Sequence, residues 1–483
     1  MPLELAARAE EWHAEPKQSF SWETASPVSV GTAAMHKLYF DSALTPDGWR
    51  DRVVVTVADD LVTAVQSAAD VDPTDGIAVP GIGNLHSHTF QRGFAGLTER
   101  RGAGDDHFWT WREAMYRLSG RLAPEDVEAI AAQSFVEMLE SGFTAVAEFH
   151  YLHHAPDGQP YDDPAELGTR IAAAAARTGI GLTLLPVFYA HGGFGGAAPT
   201  EGQRRFVSSL DLYARLAEGA ARAVAVLPGG RAGIAPHSLR AATGREIAAL
   251  VAGFPDGPVH IHVAEQVREV EDCLAATGAR PVRWLLDNAP VDARWCLVHA
   301  THMVPDETAG LARTGAVAGL CPITESDLGD GIFPATDYVA AGGAFGVGSD
   351  SNVLISLEAE LRTLEYSQRL RDRARNRLAP QGGGSTGRRL FDAAAAGGAR
   401  ALGRPAAAIA PGCRADIVVL DGTSPMLHGR RGDAVLDGWI FAAARSPVKR
   451  VYASGRLVVE DGRHVARDAV AAGFRAALDR LAD

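Results

Sequence analysis

Four short stretches of the chain carry side chains able to hold a metal ion or move a proton. They are Asn84-Leu85-His86-Ser87-His88, His260-Ile261-His262-Val263-Ala264-Glu265, Leu297-Val298-His299-Ala300 and Gly348-Ser349-Asp350. Alternation along a strand puts His86 and His88 on one side, where two imidazole nitrogens can reach one cation at about 2.0–2.1 Å. His262 adds a third nitrogen and Asp350 a carboxylate. Glu265, three residues beyond His262, supplies a proton carrier beside the ligand. Each stretch alone has a plainer reading: His-x-His as a polar loop, and Asp350 as a helix cap. His260 is read as an interior histidine of the fold and His302 as a loop residue. Recurring in the order His-x-His, His, His, Asp, the stretches point to one divalent metal per chain.

The elements that must position these residues alternate. Apolar, strand-like runs occur at 76–85, 143–149, 181–188, 232–236, 259–264, 295–300, 316–321 and 344–349, with helix-like runs at 124–141, 164–178, 201–221, 265–276 and 357–373. Eight strands alternating with helices predict an α/β fold, a (β/α)₈ TIM-like barrel. The C-terminal ends of barrel strands converge on one face, where chemistry sits, and the metal-binding residue types fall at those ends. Short β-rich runs at 36–41, 51–58 and 61–68 are matched by Ala415–Leu420 and Arg450–Glu460 near the other terminus, the latter containing a turn at Ser454-Gly455. One small β-sandwich domain built from both ends is predicted. The division is 1–35 as an N-terminal extension, 36–78 and 405–470 as the sandwich, and 79–404 as the barrel. Gln381–Ser385 reads as a glycine-rich loop.

Composition bounds the function. The 483 residues give a net charge of -13, with 47% hydrophobic and 22% charged residues. That acidic balance argues against nucleic-acid or anionic-membrane partners. No run reads as a transmembrane helix, and the N-terminus lacks the basic start and apolar run of a secretory signal. A cytoplasmic location is expected. Cys273, Cys296, Cys321 and Cys413 form no close pair and read as buried reduced thiols. Lysine occurs only at positions 17, 37 and 449, so nearly all cationic charge is arginine.

The order and spacing of the site residues resemble the amidohydrolase superfamily, barrels with a small β-sandwich made from both termini. Many members hold two metals bridged by a carboxylated lysine after an early strand. With no lysine between Lys37 and Lys449, this chain is similar instead to the mononuclear deaminase branch. The flanking segments Pro80–Arg92, Phe108-Trp109-Thr110-Trp111-Arg112, Glu148–His153, Ala235–Arg240 and Leu328-Gly329-Asp330-Gly331-Ile332-Phe333-Pro334 resemble the formimidoylglutamate deiminase family over roughly residues 36–470. The resemblance implies hydrolysis of N-formimidoyl-L-glutamate to N-formyl-L-glutamate and ammonia, in histidine degradation. It implies one metal on His86, His88, His262 and Asp350, and a homodimer; three histidines and a carboxylate suit zinc, though iron and manganese also take nitrogen and oxygen ligands. Glu265, His299 and Asp350 would be catalytic; Gln91, Arg112, Tyr151, His237 and Arg240 would shape the substrate pocket.

The residue chemistry is compatible. A small anionic amidine with two carboxylates needs donors, and guanidinium groups pair with carboxylates bidentately. Arg112 could instead stack beside its Trp pair, Arg240 could serve a strand-end ion pair, and His237 could orient the pocket without touching substrate. Asp327 departs from the family pattern, and an acid near an anionic substrate is unfavourable unless it points away or is paired. Three rivals follow: a deaminase of another amidine, guanidine or aminated ring; an enzyme expelling formamide; and a non-catalytic metal-binding scaffold.

Overall fold

The computed structural model describes residues 35–67, 76–101, 104–405 and 407–482. The expected extension over 1–35 thus lies outside the described residues, save Met35.

Eight parallel strand positions close into a barrel. Ile82–Ser87 pairs with Phe143–His150, which pairs with Gly181–Phe188. The fourth position is split into Arg231–Ala232 and Ala235–Pro236, both paired with Gly181–Phe188. Single bridges from Ile234 to Val259 and from Ser238 to His262 lead into Val259–Val263. Trp295–His299, Val317–Leu320 and Ala344–Val347 follow in order. A bridge between Ser87 and Asp350 closes the ring. The second and third strands are buried along their whole length, which explains their continuous apolar sequence. Helices such as Pro124–Ser141, Glu166–Thr178 and Pro305–Thr314 return the chain between strands, and each ends on a left-handed glycine: Gly142, Gly179 and Gly315.

Besides the split of the run 232–236, the structure redraws two of the predicted elements. The run 76–85 is two strands. Ile77–Pro80 pairs with Ile417–Leu420 and His36–Thr45 in the terminal sheet, while Ile82–Ser87 enters the barrel. Gly81 stands at the break, where a Cβ would lie 2.3 Å from the Thr144 side chain. The predicted helix over 201–221 is a single turn, Glu201–Gln203, and a separate helix, Leu210–Ala225. Between them the chain dives inward. Arg205 Nε donates to His154 O at 2.7 Å, Phe206 is buried, and Ser209 caps the second helix by accepting from Leu212 N at 3.2 Å.

The two ends of the chain form one eight-stranded sheet, ordered Arg463–His464, Arg456–Glu460, Val448–Ala453, Ile417–Leu420, Ile77–Pro80, His36–Thr45, Gly48–Ala58 and Leu61–Ser67. Its own core joins Phe40, Val55 and Val57 from one end to Ile417, Val419 and Tyr452 from the other. The Ser454-Gly455 turn is present, both residues having positive φ. A helix the sequence reading did not anticipate, Arg467–Ala482, lies against Pro124–Ser141 through an Arg480–Asp126 ion pair. Cys273, Cys296 and Cys321 are buried and free; Cys413, expected to be buried, is partly exposed. Among the described residues no helix is long and apolar enough to cross a membrane.

Candidate metal centre and substrate cavity

Strand ends one and eight are stitched together by short polar contacts. Ser349 N donates to Asn84 Oδ1 at 3.1 Å, and Asn84 Nδ2 to Ser349 Oγ at 2.6 Å. Asn352 Nδ2 donates to Ser87 Oγ at 3.1 Å. Gly348 allows this approach, since a Cβ there would sit 2.6 Å from His86 O. The backbone then turns sharply: Ala264, His299, Ala300, Asp350 and Asn352 all have positive φ, a costly conformation for residues other than glycine. Strain is concentrated where the strands hand over to the loops of the site.

The result is a tight donor cluster. His86 Nε2 lies 3.2 Å from His88 Nε2 and 3.1 Å from His262 Nε2. Asp350 Oδ1 lies 3.4 Å from His86 Nε2 and 3.2 Å from His88 Nε2. Four ligands about 2.0–2.1 Å from one ion sit about 3.3–3.4 Å apart in a tetrahedron, so the spacing fits a single cation. Two tautomers are fixed correctly for this. His88 Nδ1 donates to Phe149 O at 2.9 Å and His262 Nδ1 donates to His237 O at 3.1 Å, leaving each Nε2 lone pair free. Burial holds His86 and His262 well below the ordinary imidazole range and His88 at about 3. All three are neutral, the state a metal requires.

His299 stands beside this cluster, its ring stacked 5.5 Å from that of His262. Burial opposes its charge, but Glu265, Glu325 and Asp350 outweigh burial and raise it to about 10. Its Nε2 is 3.7 Å from Glu265 Oε1 and 3.8 Å from Asp350 Oδ2, and its Nδ1 is 3.3 Å from Glu325 Oε1. Glu265 is raised to about 7, chiefly by burial, which suits a group that takes and gives a proton near neutrality. Glu269 holds the turn by accepting from Glu265 N at 3.0 Å.

A cavity of about 640 Å³ opens above the cluster. Its wall includes all five residues assigned to substrate: Gln91, Arg112, Tyr151, His237 and Arg240. Gln91 Nε2 donates to Tyr151 Oη at 2.7 Å. Arg112 stacks on Trp109 at 4.6 Å, yet its Nε is buried without a hydrogen-bond partner, as is that of Arg240. Arg240 also reaches Glu265 Oε2 at 3.7 Å. His237 contacts the ligand cluster, its ring 4.9 Å from that of His262. His260 donates from Nε2 to Ala401 O at 2.7 Å, deep in the barrel, and His302 bonds Asp330 O at 2.8 Å, so neither joins the site. Asp327 is exposed and absent from the cavity wall, while Thr324 and Leu328 on the same turns face it. The sequence reading named no role for Glu325, Glu269 or Phe149, whose ring packs 4.5 Å from His262. An acid one turn beyond strand seven was the available sign of Glu325.

The chain belongs to the amidohydrolase family, whose profile matches residues 77–458. It is 52% identical over 454 residues to formimidoylglutamate deiminase of Pseudomonas aeruginosa, covering 93% of this chain and all of that protein. An 8-oxoguanine deaminase of the same organism is 28% identical over 450 residues, covering 89% and 93%. Among solved structures, an amidohydrolase from Brucella melitensis superposes with a TM-score of 0.90 at 53% identity, covering 93% of this chain and all of that one. An adenosine deaminase from Xanthomonas campestris with bound zinc shares the fold at TM-score 0.77 and 23% identity, covering 92% and 98%.

Proposed function

We propose that this enzyme hydrolyses N-formimidoyl-L-glutamate to N-formyl-L-glutamate and ammonia. The observation that carries the reading is the pair of buried, unpartnered guanidinium nitrogens of Arg112 and Arg240 in a cavity that ends on the His86, His88, His262, Asp350 cluster. The same cavity wall carries cationic donors for a dicarboxylate and the donor cluster proposed to hydrolyse the amidine. The 52% identity to the Pseudomonas enzyme supports the same substrate.

The four donors would hold one divalent ion, zinc by the donor set, which supplies Lewis acidity and a water nucleophile near neutral pH. Asp350 accepts a proton from the attacking water. Glu265, with a pKa near 7, carries a proton to the nitrogen that departs. His299, cationic between its three carboxylates, stabilises charge developing at the attacking oxygen. Water adds to the amidine carbon, the C–N bond to the terminal nitrogen breaks, and ammonia leaves with the formyl group still on glutamate. Arg112, Arg240, Gln91 and Tyr151 bind and orient the two carboxylates, and His237 contributes a neutral imidazole to the wall.

Residues 81–404 form the catalytic barrel and 36–80 with 405–470 its terminal β module, the expected boundary at 78/79 shifting because Ile77–Pro80 pairs in the terminal sheet. A cytoplasmic homodimer acting on a small anionic amidine, with no nucleic-acid or membrane partner, completes the proposal. The test compares ammonia release from N-formimidoyl-L-glutamate with release from N-methylformamidine, which lacks both carboxylates, and from adenosine. A clear preference for the dicarboxylate is expected. Equal or faster turnover of either alternative would overturn the substrate assignment.

A further inference from the structure

Tyr116 and Tyr189 stand in the wall of the substrate cavity, and one glutamine fixes the direction of their hydroxyls. Tyr116 comes from the helix Phe108–Ser119, and Tyr189 directly follows the third barrel strand, Gly181–Phe188. Both are buried. Gln203 closes the single turn Glu201–Gln203 and is buried with them. Its Oε1 accepts from Thr200 N at 2.8 Å and from Thr200 Oγ1 at 3.2 Å. A backbone N–H can only donate, so the amide cannot be reversed. Its Nε2 must then donate to the phenols, to Tyr189 Oη at 2.7 Å and to Tyr116 Oη at 3.4 Å. Gly202 permits this approach, because a Cβ there would lie 2.7 Å from the Tyr116 ring.

Both hydroxyls therefore accept from the glutamine, and their own protons must go elsewhere. The two hydroxyls interact with each other, which occupies one proton at most. Among the described residues no other acceptor lies within hydrogen-bond distance of either. At least one phenolic O–H is left for whatever fills the cavity, since a buried donor without an acceptor is costly. The surroundings select an anion. The Arg112 guanidinium lies 5.5 Å over the Tyr116 ring, and Arg112 and Arg240 both act electrostatically on the Tyr189 hydroxyl. Each of these arginines has a buried Nε without a partner. Burial pushes the Tyr189 phenol above its ordinary range, so it keeps its proton and remains a donor.

We propose that Tyr116 and Tyr189 form a neutral hydroxyl subsite that donates to a substrate carboxylate beside Arg112 and Arg240, with Gln203 as its positioning residue. The subsite presupposes that the substrate is the amidine dicarboxylate proposed above. The test measures kcat and KM of the metal-loaded full chain carrying Tyr116→Phe together with Tyr189→Phe. Loss of a hydrogen bond to a charged group should raise KM for N-formimidoyl-L-glutamate about ten- to a hundredfold, with kcat nearly unchanged and turnover of N-methylformamidine unaffected. Gln203→Leu should raise the same KM and leave N-methylformamidine alone; an unchanged KM there overturns its positioning role. An unchanged KM in the double variant, or an equal loss on both amidines, would overturn the subsite. If the double variant does not fold, the two single variants replace it, and an unchanged KM in both is the contrary result. If the wild type releases no ammonia from N-formimidoyl-L-glutamate, the substrate assignment fails by itself, and glutarate binding followed by calorimetry decides the subsite. Weaker glutarate binding in the variant then supports it, and equal or absent binding refutes it.

Discussion

Two groups of buried histidine sit within one ring-stacking distance of each other and are held in opposite states. His86, His88 and His262 meet one another and a single carboxylate, and burial keeps them neutral. His299 is equally buried, but Glu265, Glu325 and Asp350 surround it and keep it cationic to about pH 10. Burial alone does not set the charge of an imidazole; the carboxylates in reach decide it. In the proposed reaction this difference would divide the labour: neutral rings would offer lone pairs to a metal, and a charged ring a donor to developing negative charge.

The largest effect should come from breaking the neutral group. His262→Ala should lower metal affinity by more than the roughly 10–100-fold that loss of an outer partner costs, read by metal analysis after dialysis, with turnover falling in step. Full metal content in this variant would remove His262 from the ligand set. Glu265→Gln addresses the boundary between the groups. It should keep its metal and lose about 10²–10⁴-fold in turnover, the worth of general acid–base help; near wild-type rates would end the shuttle assignment.

Arg240→Ala tests the cationic wall instead. Charged hydrogen bonds of about 1.5–3 kcal/mol predict a KM for the dicarboxylate roughly 10–100-fold higher, with a smaller change for an amidine lacking carboxylates, because Arg240 also reaches Glu265. A uniform loss on both substrates would mark a structural role. Glu325→Gln sharpens the contrast most finely. Glu325 raises His299, so removing its charge lowers that pKa, and the imidazolium is lost at lower pH. The alkaline limb of kcat/KM should therefore move to lower pH while metal content stays full. An unmoved limb would mean that Glu325 does not govern the charge on His299.

The clustering of His86, His88, His262 and Asp350 was legible in the sequence because it depends on local geometry. Strand alternation places His86 beside His88, and strand ends place His262, His299 and Asp350 on one face. Features fixed by distant contacts were not legible. The first run divides at Gly81 because its two halves pair in different sheets, and Arg205 and Phe206 interrupt a helical pattern because they are claimed by the interior. Asp327 looked threatening to an anionic substrate. Helix geometry turns residues two apart toward different faces, so Glu325 points to His299 while Asp327 faces outward. The carboxylates that charge His299 come from three different strand ends, and no single stretch of sequence announces their meeting.

The most direct measurement is the product balance for N-formimidoyl-L-glutamate turned over by purified, zinc-loaded protein, with ammonia assayed and the organic product identified by mass. Equimolar ammonia and N-formyl-L-glutamate are predicted. Formamide with free glutamate, or no ammonia from folded and metal-replete protein, would contradict the assignment.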